Sequence, residues 1–288
     1  MAETTKKSVL AKDPDGTIKL TISIPQDQVK KVTTEVTEET VKNSNIKGFR
    51  KGKAPKKLVE ESIDTAKLRE EVLRKLIPDA YIKAIQEHNL RPIMNPKIHV
   101  EKIDDSKEWE FSATTAEMPE IKLGKYKDEV KKVTAKSKII LPGKEPFDAA
   151  QGKKQEPSMD EILKTVMENV ETTIPSILVQ QEADRFLSQT LDEIKRLGLT
   201  LDQYLQSTGK KPEDLRREYE SKAASDMKLE FALQKIAEEE KIQIEPQEID
   251  EAIQKAKSPE EKAQMEQNRY LLASILRQQK TLDFLKNL

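Results

Sequence analysis

Apolar and polar residues alternate in two stretches of the first part of the chain, as they do in strands that bury one face. The first stretch comprises residues 6–11 and 17–24, on either side of the sequence DPDG, whose Pro and Gly suit a hairpin turn. The second comprises residues 96–103 (PKIHVEKI) and 107–118 (KEWEFSATTAEM). The pattern therefore predicts two β-hairpins, the second closing near Pro119.

The apolar residues between the two hairpins recur at helical spacing. Three valines that follow Pro25 fall on one helix face, which predicts a helix ending near residues 43–45. A longer helix is predicted over residues 64–89, with Pro78 able to kink it, and a short helix is predicted to begin at Pro55. The first part of the chain is thus predicted to be α+β.

The second half of the chain is predicted to be almost entirely helical. Residues 133–157 contain three prolines and two glycines without a helical period, which predicts a linker. Ser158 and Ser258 each begin a capping-box sequence with a glutamate three residues later. The expected helices cover residues 178–197, 212–240 and, from the second capping box, 258–285.

Composition supports a helical chain. Only 35% of the residues are hydrophobic and 36% are charged, so little apolar area is available for one thick core. We therefore predict an α+β N-terminal domain of two β-hairpins with helices (1–132), a linker (133–157) and an elongated all-α domain (158–288). The absence of cysteine excludes disulfides and thiolate metal sites.

Charge and hydropathy place limits on partners. No apolar run reaches the length of a membrane span and the first residues contain no apolar signal segment, which predicts a cytoplasmic protein without a membrane partner. Residues 1–132 carry 27 Lys and Arg against 23 Asp and Glu, and the remainder carries 24 against 29. An anionic partner would therefore bind the first half.

Residue patterns of known catalytic or metal chemistry are missing from the sequence. No motif of the sequence pairs a nucleophilic residue with a general base, and GFRKGK lacks the spacing of a phosphate-binding loop. His88 is interpreted as a residue at a helix C-terminus, and Trp109 as a core residue rather than a base-stacking platform. We predict no catalytic residue, no cofactor and no metal.

The strongest candidate for a binding site is a basic segment. Residues 40–59 hold seven Lys and Arg and no acidic residue. A solvated loop would explain the charge, but Phe49 between Gly48 and Gly52 suggests an apolar anchor on a turn. Such a tip suits phosphates or acidic side chains. The predicted site comprises Gly48, Phe49, Arg50, Lys51, Gly52 and Lys53.

This segment, GFRKGKAP, resembles the ribosome-docking signature of the bacterial trigger factor family. The resemblance continues through LREEVLRKLIPDAYIKAIQEHNLRPIMNPKI and FSATTAEMPEIKLGKYK, and resumes at TIPSILVQQEADRFL, at the segment from Leu199 to Ile242 and at LDFL. Apart from residues 133–157, it covers roughly the whole chain. Most relatives carry an isomerase domain of the FK506-binding-protein type between the two regions, for which about 25 residues leave no room.

The resemblance implies an ATP-independent chaperone that docks on the ribosome near the nascent-chain exit and shields unfolded polypeptides. Its partners would be a tunnel-exit ribosomal protein, adjacent rRNA and nascent chains. Phe49, Arg50 and Lys51 would make the contact, Gly48 and Gly52 would shape the turn, and Lys53 would add charge. The alternatives are a prolyl isomerase and an RNA-binding module, and whether the chain forms a weak homodimer stays open.

Overall fold

The computed structural model of the chain describes residues 8–43, 64–104, 107–138 and 158–288. The chain divides into two compact units: Met1–Met118 with Pro175–Leu178, and Pro119–Ile174 with Val179–Leu288. An antiparallel sheet with helices forms the first unit, and the described part of the second is helical. The predicted fold class, an α+β region followed by an all-α region, is therefore confirmed.

The sheet of the first unit joins the two predicted hairpins side by side. Its strands, in the order β1-β2-β4-β3, are all antiparallel to their neighbours. β2 pairs with β4 along its whole length, which links hairpins that are distant in sequence. The strands are β1 (Val9–Lys12), β2 (Thr17–Ile24), β3 (Lys97–Lys102) and β4 (Trp109–Ala116).

One face of this sheet forms the core of the first unit. Alternate residues of β2 and β4 are buried there, including Leu20, Phe111 and Trp109. The indole Nε1 of Trp109 donates to the backbone oxygen of Asp104 at 3.0 Å, so the buried ring keeps a hydrogen bond. The interpretation of Trp109 as a core residue is confirmed.

Two helices, α1 (Gln26–Asn43) and α2 (Thr65–Glu87), cover the core face of the sheet. α2 continues through Pro78 and ends at His88, the C-cap residue, as predicted for this histidine. The Nε2 atom of His88 lies 3.0 Å from both the hydroxyl and the carbonyl oxygen of Ser8. The end of α2 therefore anchors the start of β1.

The described part of the second unit contains eight helices, although the first three residues of one of them, 176–178, belong to the first unit. The helices are α3 (Tyr126–Lys138), α4 (Met159–Asn169), α5 (Ser176–Arg196), α6 (Leu201–Thr208), α7 (Pro212–Glu239), α8 (Pro246–Gln254), α9 (Pro259–Gln267) and α10 (Arg269–Lys286). Apolar residues of α3, α4, α7 and α10 form the core of this unit, and Val130, Ile162, Ile236 and Leu285 are fully buried there.

The helix bounds in this region differ from the expected ones at two places. The predicted linker starts at residue 133, but α3 continues through Lys138, because Val130 and Thr134 share a buried helix face. The single helix predicted over 258–285 is broken at Asn268, whose side-chain amide donates to the carbonyl of Gln264 at 2.9 Å. That bond competes with continuation of the helix.

The boundary between the units differs from the predicted domain boundary at residue 132. The contacts divide the chain between Met118 and Pro119 instead, so α3 belongs to the second unit. Residues 139–157, the remainder of the predicted linker, lie outside the described residues. The domain assignment of residues 1–132, 133–157 and 158–288 stays a prediction.

Candidate functional site

The predicted docking residues all lie outside the described part of the chain. They fall in the segment 44–63, whose two ends are attached to α1 and α2. α1 ends at Asn43, and the carboxylate of Asp64 accepts the backbone N–H of Ala66 at 2.9 Å where α2 begins. The binding role of the six residues Gly48, Phe49, Arg50, Lys51, Gly52 and Lys53 therefore stays a prediction.

The helices that carry this segment are firmly packed. Val36 of α1 and Val72 of α2 are buried in one core, and Lys75 pairs with Glu39 at 2.7 Å between the helices. α2 ends beside Ser8. The next residue, Val9, pairs with Thr21 near the end of β2, after which α1 begins. Because α2 ends close to where α1 begins, the two helices run antiparallel. A packed helix pair thus holds Asn43 and Asp64, the two described residues that flank segment 44–63 in the sequence.

Three leucines of the second unit are exposed between α5 and α6. Leu197, Leu199 and Leu201, which we call the leucine turn, are 74%, 41% and 37% exposed. Leu191 of α5 is also exposed. Single exposed leucines are common on protein surfaces, and a group within a few residues makes this turn a candidate apolar binding surface.

Hydrogen bonds hold the leucine turn in this conformation. Gly198 takes a φ of +73° after the end of α5, and the N–H of Leu199 donates back to the carbonyl of Ile194 at 3.1 Å. Thr200 and Gln203 then form a reciprocal capping box at the start of α6. Because both flanks of the turn are fixed, the leucines are exposed by the local fold.

A second apolar surface lies on the first half of α10. Tyr270, Leu271 and Ile275, which we call the helix patch, are 91%, 58% and 54% exposed. Farther along the same helix, the guanidinium of Arg277 donates to the carbonyl of Ile242 at 3.0 Å. Residues 267–282 include no Asp or Glu. The helix patch itself therefore carries no acidic side chain, and the cations Arg269 and Lys280 on the same helix pair with Asp250 and Glu248 of α8.

An aromatic pair between α5 and α7 combines apolar rings with neighbouring cations. The rings of Phe186 and Tyr219 lie 5.9 Å apart, and the Tyr219 hydroxyl is 2.6 Å from that of Thr190. Arg185 and Lys222 lie 4.9 and 4.7 Å from the centre of the Phe186 ring. At this point the second unit thus presents aromatic rings beside cations.

Other kinds of site are not evident in the described ranges. They contain no group of three or more His, Cys, Asp or Glu that could hold a metal ion. A cleft of ≈ 960 Å³ beside β3 is lined mainly by charged side chains, including Glu101, Asp104 and Glu108. No helix in this part of the chain is both long and apolar enough to cross a membrane.

The titratable groups with displaced pKa values belong to structural contacts. Burial and the nearby Glu240 carboxylate raise the pKa of Tyr126, whose hydroxyl donates to Glu240 at 3.2 Å. Tyr126 packs in the core of the second unit. A displaced pKa there reflects packing, and it does not indicate proton transfer to a substrate.

Sequence reasoning did not single out the leucine turn or the helix patch. A leucine at every second position from 197 to 201, across Gly198, does not fit a helix period and was the available signal. The helix patch gave no such signal, because Leu271 and Ile275 keep the spacing of a buried face. Whether leucines face a core or solvent depends on tertiary packing.

The first unit is α+β and carries the basic segment. The second unit is helical, exposes leucines and shows no evident catalytic group among its described residues. These features define a two-unit binding protein. The family model described as bacterial trigger factor protein matches residues 6–140, and the model of the trigger factor C-terminus matches residues 144–287. The chain belongs to the bacterial trigger factor family.

Individual relatives agree with this assignment. The chain is 37% identical over 108 residues to trigger factors of Staphylococcus aureus strains JH9 and Newman. The matched part is 38% of this chain and spans only 25% of the length of these relatives. A solved structure concerning promiscuous substrate recognition by the trigger factor chaperone superposes with a TM-score of 0.63. It covers 98% of this chain and 99% of that one at 14% identity, so this similarity concerns the fold.

Proposed function

We propose that this chain is an ATP-independent molecular chaperone that docks on the ribosome near the nascent-chain exit and shields newly made, unfolded polypeptides in the cytoplasm. Membership in the trigger factor family supports the proposal. The observation that carries it is the exposure of leucines at the leucine turn, where hydrogen bonds on both flanks hold the backbone. A surface of this kind suits apolar segments that a folded protein would bury.

The size of the leucine turn suits weak, reversible binding. Covering three partly exposed leucines would contribute roughly 2–5 kcal/mol, before the cost of ordering the bound segment is subtracted. A single contact of this strength dissociates quickly, and several together retain a polypeptide. A chaperone built this way can release its client without ATP, and binding of the unfolded state opposes aggregation.

Replacing the leucines tests this assignment. The triple variant Leu197→Ser, Leu199→Ser, Leu201→Ser is expected to need at least about three times more protein to suppress aggregation of a chemically denatured client, because it loses roughly 1 kcal/mol or more of apolar contact. Light scattering after dilution of the client measures this.

The matched control changes two exposed polar residues of α5 beside the same turn. Asp192→Ser with Lys195→Ser leaves the net charge unchanged and should suppress aggregation as the wild type does. Far-UV circular dichroism verifies that both variants fold. Equal suppression by the leucine variant and the wild type would exclude the leucine turn as the client-binding surface.

We assign ribosome docking to the basic segment. Phe49 would enter an apolar pocket, Arg50 and Lys51 would bind acidic side chains or phosphates, and Lys53 would add charge. Gly48 and Gly52 would shape the turn. The targets proposed are a ribosomal protein at the tunnel exit and adjacent rRNA. The packed pair α1 and α2, which holds both ends of the segment, supports this assignment.

We further propose that the chain works without an isomerase domain. The two matched family models end and begin at residues 140 and 144, which leaves no room for a domain of about 80–100 residues between them. Substoichiometric amounts of the chain should therefore leave the rate of a proline-limited refolding reaction unchanged. Acceleration of that slow phase would contradict this part of the proposal.

A further inference from the structure

The helix patch occupies two adjacent rows of side chains on α10. Leu271 and Ile275 lie one helical turn apart in one row, and Tyr270 begins the other row, which the exposed residues Ser274 and Gln278 continue. From residue 270 to residue 278 the two rows form a strip about 12 Å long, at about 1.5 Å per residue. The helix patch is therefore a narrow, elongated surface.

The helix that carries this patch is fixed in the second unit. Leu285 of α10 is fully buried in the core of the unit, and Thr281 is buried one turn before it. The ammonium of Lys280 donates to the carbonyl of Gln243 at 3.1 Å. The helix patch is therefore formed before any partner binds, which lowers the entropy cost of binding.

The cations of this stretch already have partners. Residues 267–282 contain Arg269, Arg277 and Lys280 and no acidic residue. Arg269 pairs with Asp250 at 2.7 Å, Lys280 pairs with Glu248 at 2.9 Å, and Arg277 donates to a backbone carbonyl. A charged segment would lose hydration on this strip without gaining a free counter-charge, which is unfavourable. The fitting occupant is therefore uncharged.

The area of the helix patch argues against a second copy of this chain as the occupant. Burial of Tyr270 would remove roughly 150–250 Å² from solvent, and burial of the exposed parts of Leu271 and Ile275 would add roughly 100 Å². A stable interface buries about 800 Å² on each partner. The helix patch offers less than half of that area. An extended chain advances about 3.3 Å per residue, so about four residues would cover the strip.

We propose that the helix patch binds a short, uncharged apolar segment of an unfolded polypeptide while a second such segment of the same polypeptide occupies the leucine turn. This inference rests on the proposed function, because it requires client binding at the leucine turn. It adds a second site and defines a class of client, namely polypeptides that expose two apolar segments.

Two weak sites on one unit give selectivity for unfolded chains. Once one segment is bound, the intervening polypeptide holds the other segment at a high effective concentration, so the combined affinity exceeds that of either site. A folded soluble protein rarely exposes extended apolar surface and gains nothing from the second site. Binding at two sites therefore distinguishes unfolded clients from folded ones.

Labelled peptides test the proposal on the full chain. The one-segment peptide is Gly-Ser-Leu-Phe-Ile-Leu-Gly-Ser, and two-segment peptides join two copies of it through about 20, 40 or 60 Gly and Ser residues. Each carries a fluorophore, and fluorescence anisotropy measures its binding. The best two-segment peptide should bind the wild type at least about tenfold more tightly than the one-segment peptide. Replacing both leucines of one segment by aspartate should abolish this gain.

A variant of the helix patch identifies the second site. Tyr270→Ser, Leu271→Ser and Ile275→Ser together should remove the gain of the two-segment peptide. They should lower the affinity of the one-segment peptide only about twofold, because one of two sites is lost. The serine variant of the leucine turn should remove the gain in the same way.

The matched control changes three exposed glutamines around the helix patch. Gln264→Ser, Gln267→Ser and Gln279→Ser together leave the net charge unchanged and should keep the gain. Far-UV circular dichroism verifies that all variants fold.

Several results would overturn the proposal. These are a gain that persists in the helix-patch variant, a gain retained by the aspartate peptide, and equal affinities of the one-segment and two-segment peptides at every linker length. Self-association of the wild type that the helix-patch variant lacks, measured by sedimentation velocity, would also overturn it, because the occupant would then be a second copy.

The two proposals fail separately. If only the helix patch is wrongly assigned, the serine variant of the leucine turn still loses suppression of aggregation. If the leucine turn is wrongly assigned, that variant suppresses aggregation as the wild type does, whatever the peptides show.

Discussion

Asp15 illustrates how one side chain can connect distant parts of the chain. Its carboxylate accepts the backbone N–H of Ser176, at the start of α5, at 2.8 Å, and that of Thr17 at 2.9 Å. The hydroxyl of Thr17 donates to it at 3.0 Å. Burial acts to raise the pKa of Asp15, but the bonds from Ser176 and Thr17 outweigh it and lower the pKa to about 2. The ionised carboxylate therefore stabilises the first unit.

This contact predicts a stability difference that depends on pH. The folded-state pKa lies below the ordinary value of 3.8, so the contribution is complete above about pH 4 and is lost as the pH falls towards 2. Asp15→Ala should lower the free energy of unfolding of the first unit by about 1 kcal/mol at pH 7, since α5 loses a cap. The difference from wild type should shrink towards pH 2.

Trp109, the chain's single tryptophan, is buried in the first unit and reports on its unfolding in urea. Asp13→Ala is the matched control, because Asp13 lies in the same turn and is exposed. A difference between Asp15→Ala and wild type that stays constant from pH 7 to pH 2 would show that the ionised carboxylate is not what stabilises the contact.

Individual residues also show what the sequence could reveal about the site. The isolation of Phe49 among cations is visible in the sequence, and the core position of Trp109 was predicted from strand alternation and confirmed. Exposure of Tyr270 was not predictable, because a tyrosine at helical spacing is equally consistent with a buried face. Only the packing of the second unit distinguishes the two cases.

At the scale of elements, two turn glycines differ in what surrounds them. Gly124, just before α3, and Gly198, just after α5, both take positive φ angles, of 58° and 73°. A Cβ at Gly124 would lie 2.5 Å from the backbone oxygen of Asn169, whereas a Cβ at Gly198 would meet nothing within 4 Å. The first turn is thus restricted by close packing as well as by backbone conformation.

The two glycine-to-alanine variants should therefore differ in stability. Gly198→Ala is expected to lower the free energy of unfolding by about 1 kcal/mol, because alanine is disfavoured in the left-handed backbone conformation. Gly124→Ala should cost at least about 2 kcal/mol more, because the end of α4 must move. Urea unfolding followed by circular dichroism at 222 nm measures both. Similar midpoints for the two variants would show that the contact with Asn169 relaxes freely.

The elements were predicted where a local pattern determines them. β2 was predicted with its observed bounds, 17–24, because alternation there coincides with burial of one face. The break at Asn268 and the extension of α3 through Lys138 were missed. In the first case a side-chain bond ends a helix inside an unbroken pattern, and in the second Thr134 is buried although it is polar. Neither can be read from apolar spacing.

At the scale of the whole molecule, the two units divide the proposed work. The first unit holds the ends of segment 44–63 on a packed helix pair, and the second presents the leucine turn and the helix patch. The pairing of β2 with β4 gives the first unit one core from hairpins far apart in sequence. If the proposal holds, docking and client binding use different parts of the chain, and separate variants should remove each of them.

Co-sedimentation with intact ribosomes tests the central claim most directly. The wild type is compared with the triple variant Phe49→Ala, Arg50→Ala, Lys51→Ala, which removes two positive charges. The control variant Lys30→Ala, Lys31→Ala also removes two positive charges, but from the exposed surface of α1. Naked ribosomal RNA replaces ribosomes in a parallel series.

We expect the wild type and the α1 variant to sediment with ribosomes and the triple variant to remain largely in the supernatant, with binding reduced at least about tenfold by loss of an anchor and two charges. Naked RNA should bind the wild type much more weakly than ribosomes do. Equal sedimentation of the triple variant and the wild type, or equal binding to naked RNA, would contradict the claim that this chain docks on the ribosome through its basic segment.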